Sequence, residues 1–248
     1  LSYAAELFAL AVTLYLYDAS ALLYLNEAIL IRGGDGRWTA TSGWRGFVFA
    51  GRSLCMLNPF TPQWPAFRLA WNFEAPLDES ADGAWANGTA PLRTLTPTVT
   101  IAAYALFVLL PLGLFTPLRA YAVIPALIAL YASIGIALWR LWRSGTLAVG
   151  GRHRFWAFAF ECAACPPFAV NMIRRITLAQ RVPESLPLAA ARLLETADWE
   201  TLRVELIERL EQEIDALAAG SELRGRLEAQ KIRLRSLGGA PTAAQLPM

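Results

Sequence analysis

The chain has 248 residues, 56% of them apolar, 11% aromatic and only 17% charged, with a mean hydropathy of +0.38, a balance on the membrane side of the soluble average. Its 22 basic and 20 acidic residues nearly cancel, which removes the global positive field expected of a nucleic-acid-binding protein. Three cysteines are too few, and odd in number, for a secreted disulfide framework.

Residues 1–31 are rich in Leu, Ala and Tyr and contain neither Pro nor Gly. They are long enough to cross about 30 Å of hydrocarbon and are expected to form a first transmembrane helix. The opening lacks the basic region and small-residue cleavage site of a secretory signal. Asp18 and Glu27 are candidate intramembrane polar residues, where an ionised carboxylate costs a few kcal/mol unless it faces protein or water. Asp18 reads either as part of a proton or ion relay or as a carboxyl that fixes helix packing, and a relay needs a second partner in the membrane.

Residues 32–97 differ in character. Gly33, Gly34 and Gly36 read as a helix stop. Arg45, Arg52 and Arg68 then alternate with aromatics, among them Trp44, Trp64 and Trp71. Indole rings sit at the polar boundary of a bilayer and guanidinium groups meet phosphates, so the segment is expected to be a cytoplasmic interfacial loop that contacts lipid headgroups or a partner. Residues 44–57 read as a short interfacial helix within it. Pro59, Pro62 and Pro65 impose an extended path, and residues 74–91 read as an acidic solvated loop. The sequon Asn87-Gly88-Thr89 has meaning only in a eukaryotic secretory lumen. RNA binding competes as a reading of mixed Arg and aromatics, but no stacking-platform motif is present and no nucleic-acid partner is expected.

Residues 98–142 are expected to form a transmembrane helical hairpin. The runs 98–118 and 120–139 carry no formal charge, and Arg119 stands alone in the turn between them. Pro111 and Pro125 lie inside the helices and read as packing kinks. Ala132, Ser133 and Gly135 offer small residues where another helix can approach. Arg140, Arg143, Arg152 and Arg154 follow the exit, and Arg93 precedes the entry, so the excess of Arg puts the open end in the cytoplasm and the turn outside.

Residues 155–173 are mostly apolar, but Glu161 and the pair Pro166-Pro167 interrupt them and Arg clusters flank both ends. They read as a re-entrant segment that breaks at the prolines, or as a short fourth span. Glu161 joins the candidate intramembrane polar residues. Cys162-Ala-Ala-Cys165 has the spacing of a dithiol redox pair or half of a zinc site, and also of two small buried apolar residues. With His153 as the single histidine, bis-His haem ligation within the chain is excluded. No metal site or cofactor is assigned.

Residues 184–237 form a charged helical region. Leu202, Leu206, Ile207, Leu210, Ile214 and Leu217 fall on one helical stripe, followed by a break near Gly220 and a more basic helix. An antiparallel helical hairpin, or a short coiled coil with another subunit through that stripe, is expected on the cytoplasmic side. Residues 238–248 read as a flexible tail.

The expected fold class is an all-α integral membrane protein with three spanning helices, a re-entrant or short fourth membrane segment, and a cytoplasmic amphipathic helical hairpin. No Walker loop, HExxH, GxSxG or dinucleotide fingerprint occurs. The expected role is a non-catalytic assembly subunit of a larger complex in a bacterial inner membrane, its C-terminus cytoplasmic, binding lipids and other membrane subunits. A membrane thiol redox protein and a proton or ion pathway subunit are the alternatives.

Overall fold

The computed structural model describes residues 3–72, 85, 90–117, 119–145, 151–218 and 221–237; within these, the side chains of 44–46, 48, 90, 119, 120 and 151 are not described. The sequon, the acidic loop between 73 and 89 (Trp85 apart) and the tail from 238 lie outside them.

The chain is 66% helix and about 13% strand, with two sheets. This corrects the all-α expectation with three or four membrane segments: among the described residues two helices, not three, are long and apolar enough to cross a membrane, Pro91–Phe115 and Tyr121–Ser144, each with a window of mean hydropathy 2.1. The apolar run that begins the chain is divided. Helix α1 covers Tyr3–Asp18, and the remainder becomes strands β1 (Ser20–Leu23) and β2 (Glu27–Arg32). The physical reason lies in the β-branched Ile29 and Ile31 and in a backbone turn at residues 24–27, where Glu27 N–H donates to the Tyr24 carbonyl and the Glu27 carboxylate accepts from Tyr24 N–H at 2.8 Å.

Strands β3 (Trp38–Thr41), β4 (Trp44–Phe49), β5 (Arg52–Met56) and β6 (Ala66–Ala70) occupy the stretch expected to be an interfacial loop. One sheet has the order β1-β5-β4, the other β3-β2-β6. The glycines after Arg32 form the turn of the β2–β3 hairpin, where Gly33 N–H donates to Arg37 O at 2.8 Å and Gly36 takes a φ of 89°. Instead of an interfacial helix, residues 44–56 make a second antiparallel hairpin. It pairs Phe49 with Arg52 around Ala50 and Gly51, both at positive φ (49° and 74°), the backbone of a type I′ turn. Strand β2 is central, antiparallel to β3 and β6, and its Ala28, Ile29 and Leu30 are fully buried. Burial on both faces explains why it reads as a continuous apolar run rather than an alternation.

The chain divides into two compact units. The first holds α1, the segment Met56–Pro65 and the helices from residue 90 to 178. A short turn α2 (Ala90–Arg93) and helix α3 (Thr96–Tyr104) enter the first long apolar helix, a π-helical segment (Ala105–Leu109) follows, and α4 (Leu110–Phe115) completes it. The π segment is closed by Leu110 N–H donating to Ala105 O and immediately precedes Pro111, which has no N–H to donate to the preceding turn. Helix α5 (Arg119–Ser144) runs back alongside, with Pro125 inside it.

Two helices and a short connector follow: α6 (Gly151–Ala164), α7 (Pro166–Val170) and α8 (Met172–Leu178). The interruption falls at Cys165, with Pro166 in the first turn of α7, where a proline's missing N–H costs nothing. The core of this unit is built from one stripe per helix. Leu95, Val99 and Ala102 meet Leu130, Ile134, Ala137 and Leu141, with Phe155, Ala159 and Cys162 from α6.

The second unit holds most of the strands and the C-terminal helices. Helix α9 (Leu186–Leu193) packs on β2, and α10 (Thr196–Ala216) packs on β3 and against α11 (Glu222–Ser236). The Ser221 hydroxyl caps α11 by accepting from Arg224 N–H at 3.2 Å. The apolar stripe of α10 is used within the chain, with Leu202, Leu206, Leu210 and Ile214 buried and Ile207 and Leu217 half-buried. Lys231 and Arg235 of α11 both pair with Glu211 of α10, at 2.6 and 3.2 Å.

Candidate functional site

Asp18, Glu161 and the two neighbouring thiols come from distant parts of the sequence, and the first unit brings them around one guanidinium. Asp18 is the last residue of α1. Arg175 of α8 stands between the carboxylates, its Nε 3.6 Å from Asp18 Oδ1 and its Nη2 2.5 Å from Glu161 Oε2. The same guanidinium lies over the Phe168 ring at 4.7 Å and the Phe158 ring at 5.6 Å, an arrangement that favours a weakly hydrated planar cation. Burial pushes the Asp18 carboxyl above its ordinary value, against the pull of Arg175.

Cys162 projects from α6 into the core and is fully buried, whereas Cys165 at the helix break is half-buried; both are free thiols. Burial pushes the Cys162 thiol up to about 12, with Arg175 opposing, and also raises that of Cys165. A redox nucleophile needs the thiolate and an electropositive, accessible setting, and Cys162 has the reverse. Among the described residues no group of three or more His, Cys, Asp and Glu is placed to hold a metal ion.

Beside this cluster lies a fully buried cation that sequence reasoning missed. Arg174 is 1% exposed; its Nη2 donates to Asn58 O at 2.7 Å, Thr61 O at 2.6 Å and Thr61 Oγ1 at 3.1 Å. Tyr15 Oη donates to Pro59 O in the same segment, and Asn171 Nδ2 donates to Tyr15 O at 3.3 Å. The proline-rich stretch 58–65 thus offers its carbonyls to two helices. Burial lowers the Arg174 pKa to about 10, which leaves it cationic at neutral pH. The signal in the sequence is the Arg174-Arg175 pair itself, whose two members point to different partners.

The remaining candidate residues lie in the second unit, except Trp64, which is half-buried in the first. Glu27 is not among the helices at all: it sits on β2 and forms an ion pair with Arg68 of β6. Arg68 also donates to Leu22 O at 3.1 Å. Arg52 donates to Tyr24 Oη and lies 4.2 Å over its ring. Trp71 is 1% exposed and exchanges hydrogen bonds with Asn26 at 2.8 and 2.9 Å, so its ring is closed to a headgroup. The side chains of Trp44 and Arg45 lie outside those described.

A second buried cation is also illegible in the sequence. Arg209, on α10, donates to Ser42 O at 2.7 Å, Leu25 O at 3.1 Å and Glu205 at 2.9 Å, tying the helix to two strand connections.

The exposed surface of the long apolar helices is the other notable feature. Only 33% of the Pro91–Phe115 window and 28% of the Tyr121–Ser144 window is buried. Ile101, Tyr104, Ile124, Ile128, Tyr131 and Ile136 all point outward. No family model matches this chain, and no curated protein or solved structure matches it significantly.

Proposed function

We propose that the chain is a membrane-anchored, non-catalytic assembly subunit of a larger inner-membrane complex. The observation that carries the reading is the low burial of the two apolar helices. The core helix of a soluble protein is mostly covered, whereas here only 33% and 28% of the two windows are buried, and large apolar side chains such as Ile101, Tyr104, Ile124, Ile128 and Tyr131 are exposed along them, the kind of surface that marks a membrane or partner contact. A bilayer accounts for it, with the ends of the hairpin placed by Trp139 and Trp142 at one interface.

Two further features support an assembly role over catalysis. The outward side of α5 carries Ala132 and Gly135, and a Cβ built at Gly135 meets nothing within 4 Å, which leaves room for a helix from another subunit to approach closely. The carboxylates suited to a proton path both face Arg175, an ion-paired arrangement that joins three helices. On this reading the Arg-rich open end of the hairpin is cytoplasmic, and so is the C-terminal region.

Two measurements test the proposal. After alkaline carbonate washing the protein should stay in the membrane pellet, and in mild detergent it should migrate on a native gel well above its 27.2 kDa. Release into the wash overturns the anchoring; migration as a free monomer with intact fold overturns the assembly role.

A further inference from the structure

At the open end of the hairpin the two apolar helices flank a shallow, open groove of about 550 Å³ lined by Arg93, Thr94, Pro97, Trp139, Arg140 and Arg143. Its volume is in the range of small-molecule sites, about 300–1,000 Å³. The three guanidinium groups are arranged by different means. Arg140 donates to Thr94 O at 2.5 Å, which fixes it across the groove. Arg143 lies 5.1 Å over the Trp139 ring, and Arg93 is exposed at the end of α2. Among the described residues no carboxylate pairs with any of the three. Three arginines that line one groove and have no carboxylate partner among the described residues suit an anion with several oxygens.

We infer that this groove binds the phosphate headgroup of an anionic phospholipid, an assignment that rests on the hairpin lying in a bilayer. A phosphodiester fits the donors, since Arg meets phosphate oxygens through paired N–H groups. The lipid, rather than free phosphate, follows from what adjoins the groove. Ile101 lies one turn beyond Pro97, and Ile136 one turn before Trp139 and Arg140, on the same helical faces, and both are exposed. They extend the groove, whose lining is itself largely apolar between the guanidinium groups, along the hairpin, where an acyl chain gains contact and an inorganic ion gains none. Trp139 stands at the junction, as an indole does at a headgroup boundary.

The test compares the unsubstituted protein with Arg93→Gln/Arg140→Gln/Arg143→Gln by native mass spectrometry in mild detergent. Phosphatidylglycerol and phosphatidylcholine of identical acyl chains are added separately. The unsubstituted protein should retain phosphatidylglycerol at least about tenfold more tightly than phosphatidylcholine, and the triple Gln variant should lose that preference. A triple Lys variant should keep most of it. Equal retention of both lipids, or an unchanged preference in the Gln variant, overturns the inference. Displacement of the lipid by millimolar inorganic phosphate overturns the choice of a lipid ligand. Carbonate washing of the same variants separates this from anchoring: all should remain in the pellet, and release of the unsubstituted protein marks failure of the anchoring reading instead. A thermal melt of each variant establishes that it is folded.

Discussion

Arg175 Nε reaches Asp18 Oδ1 at 3.6 Å, joining the end of the first helix to a residue 157 positions later in the chain. The guanidinium serves two carboxylates, so its removal and the removal of one acid have unequal effects. Arg175→Ala leaves Asp18 and Glu161 facing each other with Asp18 largely buried, and should cost about 1–3 kcal/mol, part of the full buried-pair value because the cluster is partly solvated. Asp18→Asn removes a costly buried charge while Glu161 still satisfies Arg175, and should cost less than about 1 kcal/mol. Chemical or thermal unfolding in detergent measures both. Equal losses would show that the cluster is not a shared clamp.

The same carboxyl sets a pH dependence. Burial raises the folded-state pKa of Asp18, so the folded chain holds this proton to higher pH than the unfolded chain does. Its contribution to stability is fully present below the ordinary aspartate value and is lost as pH rises through the raised folded value. Melting temperature against pH should therefore slope downward across that window more steeply in the unsubstituted protein than in Asp18→Asn. Parallel curves for the two proteins would contradict this.

Arg174 donates to three oxygens of the segment 58–61 from a fully buried position. Arg174→Ala leaves those carbonyls without their donor and should destabilise the first unit by about 2–4 kcal/mol. Arg174→Lys keeps the charge but not the fork of donors, and should recover less than half of the loss. Limited proteolysis is the sharper readout, since cleavage within residues 56–65 should appear first in the Ala variant.

The thiols differ in exposure and should differ in reactivity. At about pH 8, N-ethylmaleimide should modify Cys165 first, and Cys162 and Cys55 only after denaturation, because burial keeps these two protonated and out of reach. Replacement of both Cys162 and Cys165 by Ala should leave complex assembly unchanged. Rapid native labelling of Cys162, followed by mass spectrometry of its peptide, would reopen the redox reading.

Gly113 marks a close approach within the hairpin. A Cβ placed there would stand 2.6 Å from Val123 Cγ2 and 2.8 Å from the Val123 backbone nitrogen, too close for a side-chain movement alone to relieve. Gly113→Ala should separate the helices and cost about 1–3 kcal/mol, whereas Gly135→Ala, where the space is open, should be neutral or slightly stabilising for the isolated chain. Melting of the purified variants distinguishes them, and equal effects would contradict the packing.

The two long helices were legible because unbroken apolar length carries a helix across roughly 20 residues without an interruption. The sheets were not. Residues 19–31 lack Pro and Gly, so helix periodicity had no visible end, and the fully buried β2 hides the alternation that marks a half-exposed strand. The second hairpin turns on Ala50-Gly51, and Ala at positive φ carries none of the Asn-Gly signal that identifies such turns. Arg52 and Arg68 alternating with aromatics suggested a lipid interface, yet the same residues serve Tyr24, Glu27 and Leu22. The meeting of Asp18 with Glu161 depended on tertiary placement and on Arg175, whose part no local spacing announces. The stripe on α10 was visible, but its occupant was decided by α11 and β3.

The π segment at Ala105–Leu109 gives the first apolar helix a spare residue. The turns on either side keep their own faces, Leu95, Val99 and Ala102 before it and Gly113 after it, because the surplus is absorbed in one widened loop of backbone. Deleting one residue inside 105–109 would return the stretch to an ordinary helical winding with both faces still aligned on α5. Deleting a residue elsewhere in the helix would rotate half of it by about 100° and turn its buried stripe outward. Among the described residues of the hairpin, the segment 105–109 is thus where the loss of one residue disturbs the fit of the two helices least.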